Sequence, residues 1–360
     1  MDQQKWDKKK IAWVRRRLLE WYGRSRRDLP WRRSQEPYAI WVSEIMLQQT
    51  RVAVVMERFP AFMARFPTLL SLSLATEEEV LALWSGLGYY RRARMLHKAA
   101  QFVVSQGQGK LPQTAAELRL LPGIGSYTAA AVASIAHGER VAVVDGNVER
   151  VLCRMAGWDA DASARRKVEE LAAGLISPRR PGDFNQALMD LGATVCLPRK
   201  PQCLVCPLAA GCVTQGEHQT APRPPMQSRE AAYALSLRND QPHRQVLLER
   251  RRASLSVMPG LWELPALKDA AVPEENLRLT LRHAIMQVNY HVRIRNVRED
   301  EVEALAVHGG LRRWVPLDKA AGMALTGLAR KALTRAHLLP ATCSAPEECP
   351  ASDRTESKLL

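Results

Sequence analysis

The sequence predicts a mainly α-helical N-terminal region followed by a smaller α+β domain. Three observations carry that expectation. Apolar residues recur at helical spacing between residues 8 and 213, with capping signals ahead of several runs. No β-rich segment occurs before residue 215. At Gly216–Ser228 the composition turns polar around Pro222, Pro224 and Pro225, and short alternating segments follow.

The first helix is read from Trp13, Arg17, Leu18 and Trp21, with Gly23 expected to end it. Thr76-x-x-Glu79 and Thr114-x-x-Glu117 are capping boxes, in which the Thr hydroxyl and the Glu carboxylate each satisfy a backbone N–H. Ala129 to Ala136 is a small, apolar helix, and Asp183 is expected to cap a helix running through Leu191. Beyond the linker, Ala231–Leu237 and Gln245–Glu249 read as strands joined by the turn Asn239-Asp240-Gln241-Pro242. Asn289–Val297 is a further strand. The expected organisation is a domain at 1–215, a linker at 216–229, a second domain at 230–340 and a disordered tail at 341–360.

Composition narrows the function classes. The chain has 360 residues, 46% of them apolar, and a net charge of +15. That charge favours a polyanionic partner, most simply nucleic acid. No apolar run approaches the ~18 residues a membrane span needs. Residues 1–17 are charged and lack the apolar core of a secretory signal. The expectation is a cytoplasmic monomer with no membrane association.

Cys196, Cys203, Cys206 and Cys212 form C-x6-C-x2-C-x5-C in a stretch punctuated by Pro198, Pro201 and Pro207. Without a secretory signal, thiols stay reduced and a disulfide framework is not expected. Zinc and an iron–sulfur cluster both accept four thiolates. The single tight Cys pair, rather than two distant knuckles, favours a [4Fe–4S] cluster.

Leu121-Pro122-Gly123-Ile124-Gly125-Ser126-Tyr127 joins two helices through two glycines. Glycine permits positive φ and leaves backbone N–H groups of the next helix facing outward, a nest for one phosphate. Gly123 and Gly125 are therefore candidate DNA-backbone contacts. Further on, Val143-Val144-Asp145-Gly146-Asn147 places an acid just before a helix start, a position that by itself reads as an N-cap.

Hairpin, Asp145 and the four cysteines, in this order, resemble the endonuclease III superfamily of DNA glycosylases. The resemblance covers residues 8–213. It implies two helical subdomains with a DNA cleft between them, the cluster lying in one as a structural element. Lyase members of the superfamily carry a lysine two residues after the second hairpin glycine; here Tyr127 stands there, so no Schiff base can form. Trp41-Val42-Ser43-Glu44-Ile45-Met46-Leu47-Gln48-Gln49-Thr50 looks like the adenine DNA glycosylase (MutY) family, as do Leu29-Pro30-Trp31-Arg32 and Gly86-Leu87-Gly88-Tyr89-Tyr90 with Arg92, Ala93 and Arg94.

Adenine leaves only when protonated, and the sugar it leaves becomes cationic, so the reaction calls for two carboxyl groups in different environments. Glu44 lies in an apolar, Trp-bearing segment, where a carboxyl resists ionisation. The resemblance implies that Glu44 protonates adenine at N7 and that Asp145 stabilises or traps the sugar cation. It further implies that Tyr127 and Asn147 support them, that Arg32 lies near the flipped base, and that Gln49 and Tyr89 insert into the duplex. The implied partner is double-stranded DNA containing adenine opposite 8-oxoguanine or guanine.

In that family a Nudix-like C-terminal domain checks the opposite base, and Met258-Pro259-Gly260-Leu261-Trp262-Glu263-Leu264-Pro265 is similar to it. The Glu-rich magnesium helix of hydrolytic Nudix proteins is lacking, since only Glu274 and Glu275 follow; pyrophosphate hydrolysis is not expected. Where the family has an H-x-F-S-H-like lesion loop, this chain reads Arg282-His283-Ala284-Ile285-Met286-Gln287. His283 is a candidate retained contact. The alternatives are a sibling glycosylase of other base specificity and a non-catalytic iron–sulfur DNA-binding protein. Glu44 in its motif and Tyr127 in the lysine place argue against the first, and the presence of both carboxylates argues against the second.

Overall fold

The structure is a computed structural model that describes residues 6–107, 109–159, 164–218, 225–240, 243–270, 273–307 and 310–340. The expected tail at 341–360 lies outside the described residues, as do Gln241 and Pro242 of the expected turn. The chain divides into two compact units, Met1–Pro225 and Met226–Leu360.

The first unit is built from α1 (Lys8–Ser25), α2 (Pro37–Leu47), α3 (Val52–Arg65), α4 (Leu69–Ser73), α5 (Glu77–Leu83), α6 (Arg91–Ser105), α7 (Ala115–Leu118), α8 (Ser126–His137), α9 (Gly146–Ala156), α10 (Ala164–Leu175) and α11 (Pro181–Thr194). No strand occurs among its described residues. One face of α1, carrying Val14, Leu18 and Tyr22, is buried against Val148, Val151 and Leu152 of α9, Val168 and Leu171 of α10, and Phe184, Leu188 and Leu191 of α11. Each large apolar side chain buried this way contributes about 1.5–3 kcal/mol. The segments α2–α8 bury a separate aromatic set that includes Trp41, Phe62, Phe66 and Trp84, with Phe62 edge-on to both Phe66 and Trp84.

Both capping boxes form as read, Thr76 with Glu79 ahead of α5 and Thr114 with Glu117 ahead of α7. Two boundaries differ. α1 runs through Gly23 to Ser25, because Tyr22 O still accepts from Arg26 N–H and the exposed glycine meets nothing that would end the helix. α11 starts at Pro181 with Arg180 as its cap. Proline at the first position fixes that start. Asp183 therefore lies in the first turn, where it accepts from Arg180 Nε at 2.8 Å instead of capping.

The second unit holds two sheets. β1 (Gln227–Leu235), β6 (Val288–Asn296) and β5 (Leu277–Ile285) form one, β1 parallel and β5 antiparallel to the central β6. In the other, β3 (His243–Arg250) pairs antiparallel with β2 (Leu237–Asp240), β4 (Trp262–Glu263) and β7 (Arg312–Pro316). Its described residues also form the helices α12 (Glu299–Leu305), α13 (Leu317–Ala320) and α14 (Gly327–Arg335). The core collects Val246, Leu248, Trp262, Leu264, Val292, Ile294, Leu328 and Leu333. The expected strand 231–237 is broken at Ser236: its first part pairs with β6, and only Leu237 onward forms the hairpin with β3. β1 already begins at Gln227, inside the stretch read as linker. The expected lesion loop is a tight hairpin: Ile285 ends β5, and Met286 and Gln287 make the turn into β6. Met286 sits there at φ 54°, exposed.

Candidate active site

Glu44 projects from α2 into a cavity of about 190 Å³ that Arg32, Tyr127, Asp145 and Asn147 also line. That volume is below the ~300–1,000 Å³ of pockets for drug-sized ligands and suits one flat ring system. α2 is nearly apolar throughout, from Ile40 to Met46, so its one carboxylate is buried with it. Burial pushes the Glu44 carboxyl up to about 7; the Tyr127 hydroxyl and the Arg32 charge oppose the rise and Asp145 adds to it. Tyr127, in the first turn of α8, donates its hydroxyl hydrogen bond to Glu44 Oε2 at 2.9 Å. Burial, and next the Glu44 charge, raise the Tyr127 phenol well above its ordinary value, so it stays a donor.

Asp145 has both the structural and the site position. It is the N-cap of α9, Oδ1 accepting from Val148 N–H at 2.7 Å, while Oδ2 accepts from the Asn147 amide at 3.0 Å. Asn147 in turn accepts from Arg150 at 2.8 Å through its Oδ1. The cap fixes the carboxylate to the start of a helix, and the amide fixes its second oxygen. Gly192 of α11 lets α9 come this close: a Cβ there would lie 2.6 Å from Asn147 Cβ.

Arg32, half-buried, ends the short turn at Pro30–Arg32 and forms a two-pronged pair with Asp190, 2.7 Å from Nη1 and 3.0 Å from Nη2. Arg27 Nε donates to the same carboxylate at 2.8 Å. Burial works against the Asp190 charge, but the two guanidinium groups outweigh it and hold its carboxyl below the usual range. Asp190 was not singled out from sequence. Its signal is a charge three and four residues after Ala187 and Gln186, on the buried side of α11.

Gln49 and Tyr89 both have positive φ, 56° and 47°, and both are exposed. Held αL conformations of this kind in non-glycine residues cost roughly 1–3 kcal/mol and cluster at functional sites. Tyr90, by contrast, is buried in the core. In the hairpin, Gly123 uses positive φ (76°), and a Cβ there would collide with Met95. Gly125 does not use it: as the N-cap of α8 it is extended (φ −88°, ψ 175°), and a Cβ would meet nothing within 4 Å. Its value is open space in front of the α8 N–H groups. His283 lies within β5, opposite Tyr290, half-buried, and desolvation followed by Lys331 lowers its pKa.

The four cysteines line one small pocket with Arg154. The pocket is bordered by cations suited to an anionic occupant. Arg154, buried in the pocket wall, places Nη1 3.4 Å from Cys196 Sγ, and its Nε is buried without a hydrogen-bond partner; the Cys212 thiol also acts on the Lys10 charge. Four thiols around a pocket with compensating positive charge fit a polynuclear thiolate-bound cluster.

Comparison with known proteins agrees with this arrangement. Residues 42–178, from α2 to just past α10, match the HhH-GPD superfamily of base excision DNA repair proteins. The chain is 50% identical to a human adenine DNA glycosylase over 218 residues, 57% of this chain and 40% of that one. It is 37% identical to the Arabidopsis thaliana adenine DNA glycosylase over 358 residues, 84% of this chain and 56% of that one. It thus spans about half the length of these curated relatives. Among solved structures, a thermostable thymine-DNA glycosylase superposes with a TM-score of 0.54 at 31% identity, covering 57% of this chain and 97% of that one. A helical unit that repeats nearly all of that enzyme, with the hairpin and the carboxylate-lined cavity in place, makes the chain a member of the HhH-GPD superfamily of base excision DNA repair proteins.

Proposed function

We propose that the chain is a monofunctional DNA glycosylase that hydrolyses the N-glycosidic bond of adenine mispaired with 8-oxoguanine or guanine. The observation that carries this reading is Glu44, a carboxyl with a pKa near 7 that shares a ring-sized cavity with Asp145. A base extruded from the stack would fill the cavity. Glu44 gives its proton to N7, and the bonding pair of the glycosidic bond departs with the base. The Asp145 carboxylate faces the positive charge that develops on the sugar, held by the Val148 N–H and the Asn147 amide. Water then adds to the sugar carbon and returns a proton to Glu44. Tyr127 in place of a lysine supports hydrolysis without strand cleavage.

Gln49 and Tyr89 are the side chains that enter the duplex, and Gly123 and Gly125 let the α8 N-terminus meet a phosphate. Cys196, Cys203, Cys206 and Cys212 hold a [4Fe–4S] cluster, which when bound ties the loop 196–212 together. The second unit is the Nudix-like part that senses the opposite base, with His283 among its contacts.

The test is release of base from duplexes carrying A opposite 8-oxoguanine, A opposite guanine, and T opposite guanine. Adenine release from the first two, abolished in Glu44→Gln and in Asp145→Asn, is expected. Release of thymine alone would assign the chain to the chemistry of the thymine enzyme it resembles. Robust adenine excision by either variant would overturn the roles given to the two carboxylates.

A further inference from the structure

Two exposed residues in strained backbone stand on loops 40 positions apart in sequence, and one half-buried guanidinium reaches both loops. Arg92, in the first turn of α6, donates from Nη1 to the carbonyls of Ile45 (2.7 Å), Met46 (2.9 Å) and Gln48 (2.5 Å). Its Nη2 donates to the carbonyls of Leu87 (2.9 Å) and Gly88 (3.1 Å) and to Thr50 Oγ1 (3.0 Å). The first set closes the C-terminus of α2, directly before Gln49. The second set holds the turn directly before Tyr89. The Thr50 hydroxyl spans the same gap, 3.3 Å from the Gln48 carbonyl and 3.2 Å from that of Leu87. The guanidinium also lies over the Tyr89 ring (5.6 Å) and the Trp84 ring (5.5 Å).

Chemistry explains why this position takes arginine. The last carbonyls of a helix have no partner within it, and an L-residue at positive φ keeps that conformation only where its surroundings dictate it. A planar fork of N–H groups serves acceptors on two sides of a gap; an ammonium, with its donors on one atom, serves one side. Burial lowers the Arg92 pKa only to about 10, so the fork stays charged at neutral pH.

We propose that Arg92 is a positioning residue that clamps the Gln49 and Tyr89 loops into one rigid unit, so that the two side chains enter the duplex together. This rests on the glycosylase reading above, in which those side chains are the inserting pair. Arg92 touches no substrate; it acts through them.

The test uses the full chain and a duplex with 2-aminopurine next to the target adenine, whose fluorescence follows base extrusion in stopped flow. Arg92→Lys is expected to slow extrusion about tenfold or more, as small misplacements of positioning groups do, while the melting transition is retained. In a Gln49→Ala/Tyr89→Ala background Arg92→Lys is expected to add nothing, because the clamp then has nothing to position. If the two wedge variants leave extrusion at the wild-type rate, the wedge reading itself fails. If they slow it, and Arg92→Lys still contributes its full factor on top of theirs, the clamp is overturned. Should Arg92→Lys lose the melting transition, Thr50→Val is read through the same cycle: a loss confined to the intact wedge background supports the clamp, and an undiminished extrusion rate overturns it.

Discussion

At the scale of single residues the site is a problem in keeping one proton. The Glu44 carboxyl is shifted to about 7 by burial, and Tyr127 is among the groups that restrain the shift. Adenine excision should therefore fall as pH rises through about 7, where the acid loses its proton. Tyr127→Phe removes a restraint and should move that limb to higher pH in single-turnover rates; an unmoved limb would mean that another group supplies the proton. The same shift has a signature in stability. A carboxyl whose folded pKa lies above its unfolded value imposes no penalty below about pH 4.5; stability is lost as pH rises from there through about 7. At pH 8 the penalty reaches about 3 kcal/mol at most. Glu44→Gln keeps the shape and an acceptor for Tyr127 without the charge. Its melting temperature should exceed that of the unsubstituted chain at pH 8 and converge with it at pH 5.

At the scale of elements, what matters is how closely α9 and α11 approach. Gly192→Ala would place a methyl against Asn147 Cβ and the Asn147 carbonyl, displacing the turn that carries Asp145. Overpacking of this kind costs about 1–3 kcal/mol. We expect a stability loss in that range by denaturant melts, together with a loss of excision far larger than the stability change explains. Much of this level was legible in the sequence, because capping boxes and helical periodicity are local: Thr76, Thr114 and Asp145 all cap as read. What the chain did not disclose depends on partners distant in sequence. Ser236 divides one apparent strand between two sheets because β6, some 50 residues later, claims its first half. Asp190 reads as an ordinary helical charge until Arg27 and Arg32, in the segment that follows α1, meet it. Arg92 belongs to a recognised run, yet its acceptors come from α2 and the turn at Leu87–Gly88, so its reach is visible only in the fold.

At the scale of the molecule, the helices of the first unit end with α11 and the cysteine loop follows with two short 3-10 turns, neither containing a buried residue. Leu208 anchors the loop in the core, and on the cluster proposal the rest of the loop depends on what its thiolates bind. Cys206→Ala should leave α2–α8 protected in limited proteolysis while 197–217 becomes nicked; equal protection of that loop would show that it holds itself. The burial of α1 has a different consequence. Val14, Leu18 and Tyr22 pack on helices that lie well over a hundred residues further along the chain. During synthesis at about 5–20 residues per second, α1 leaves the ribosome on the order of ten to thirty seconds before α11. Through that interval α1 presents an apolar stripe among lysines and arginines with its packing partners not yet made, so chaperone dependence should track the apolar character of α1.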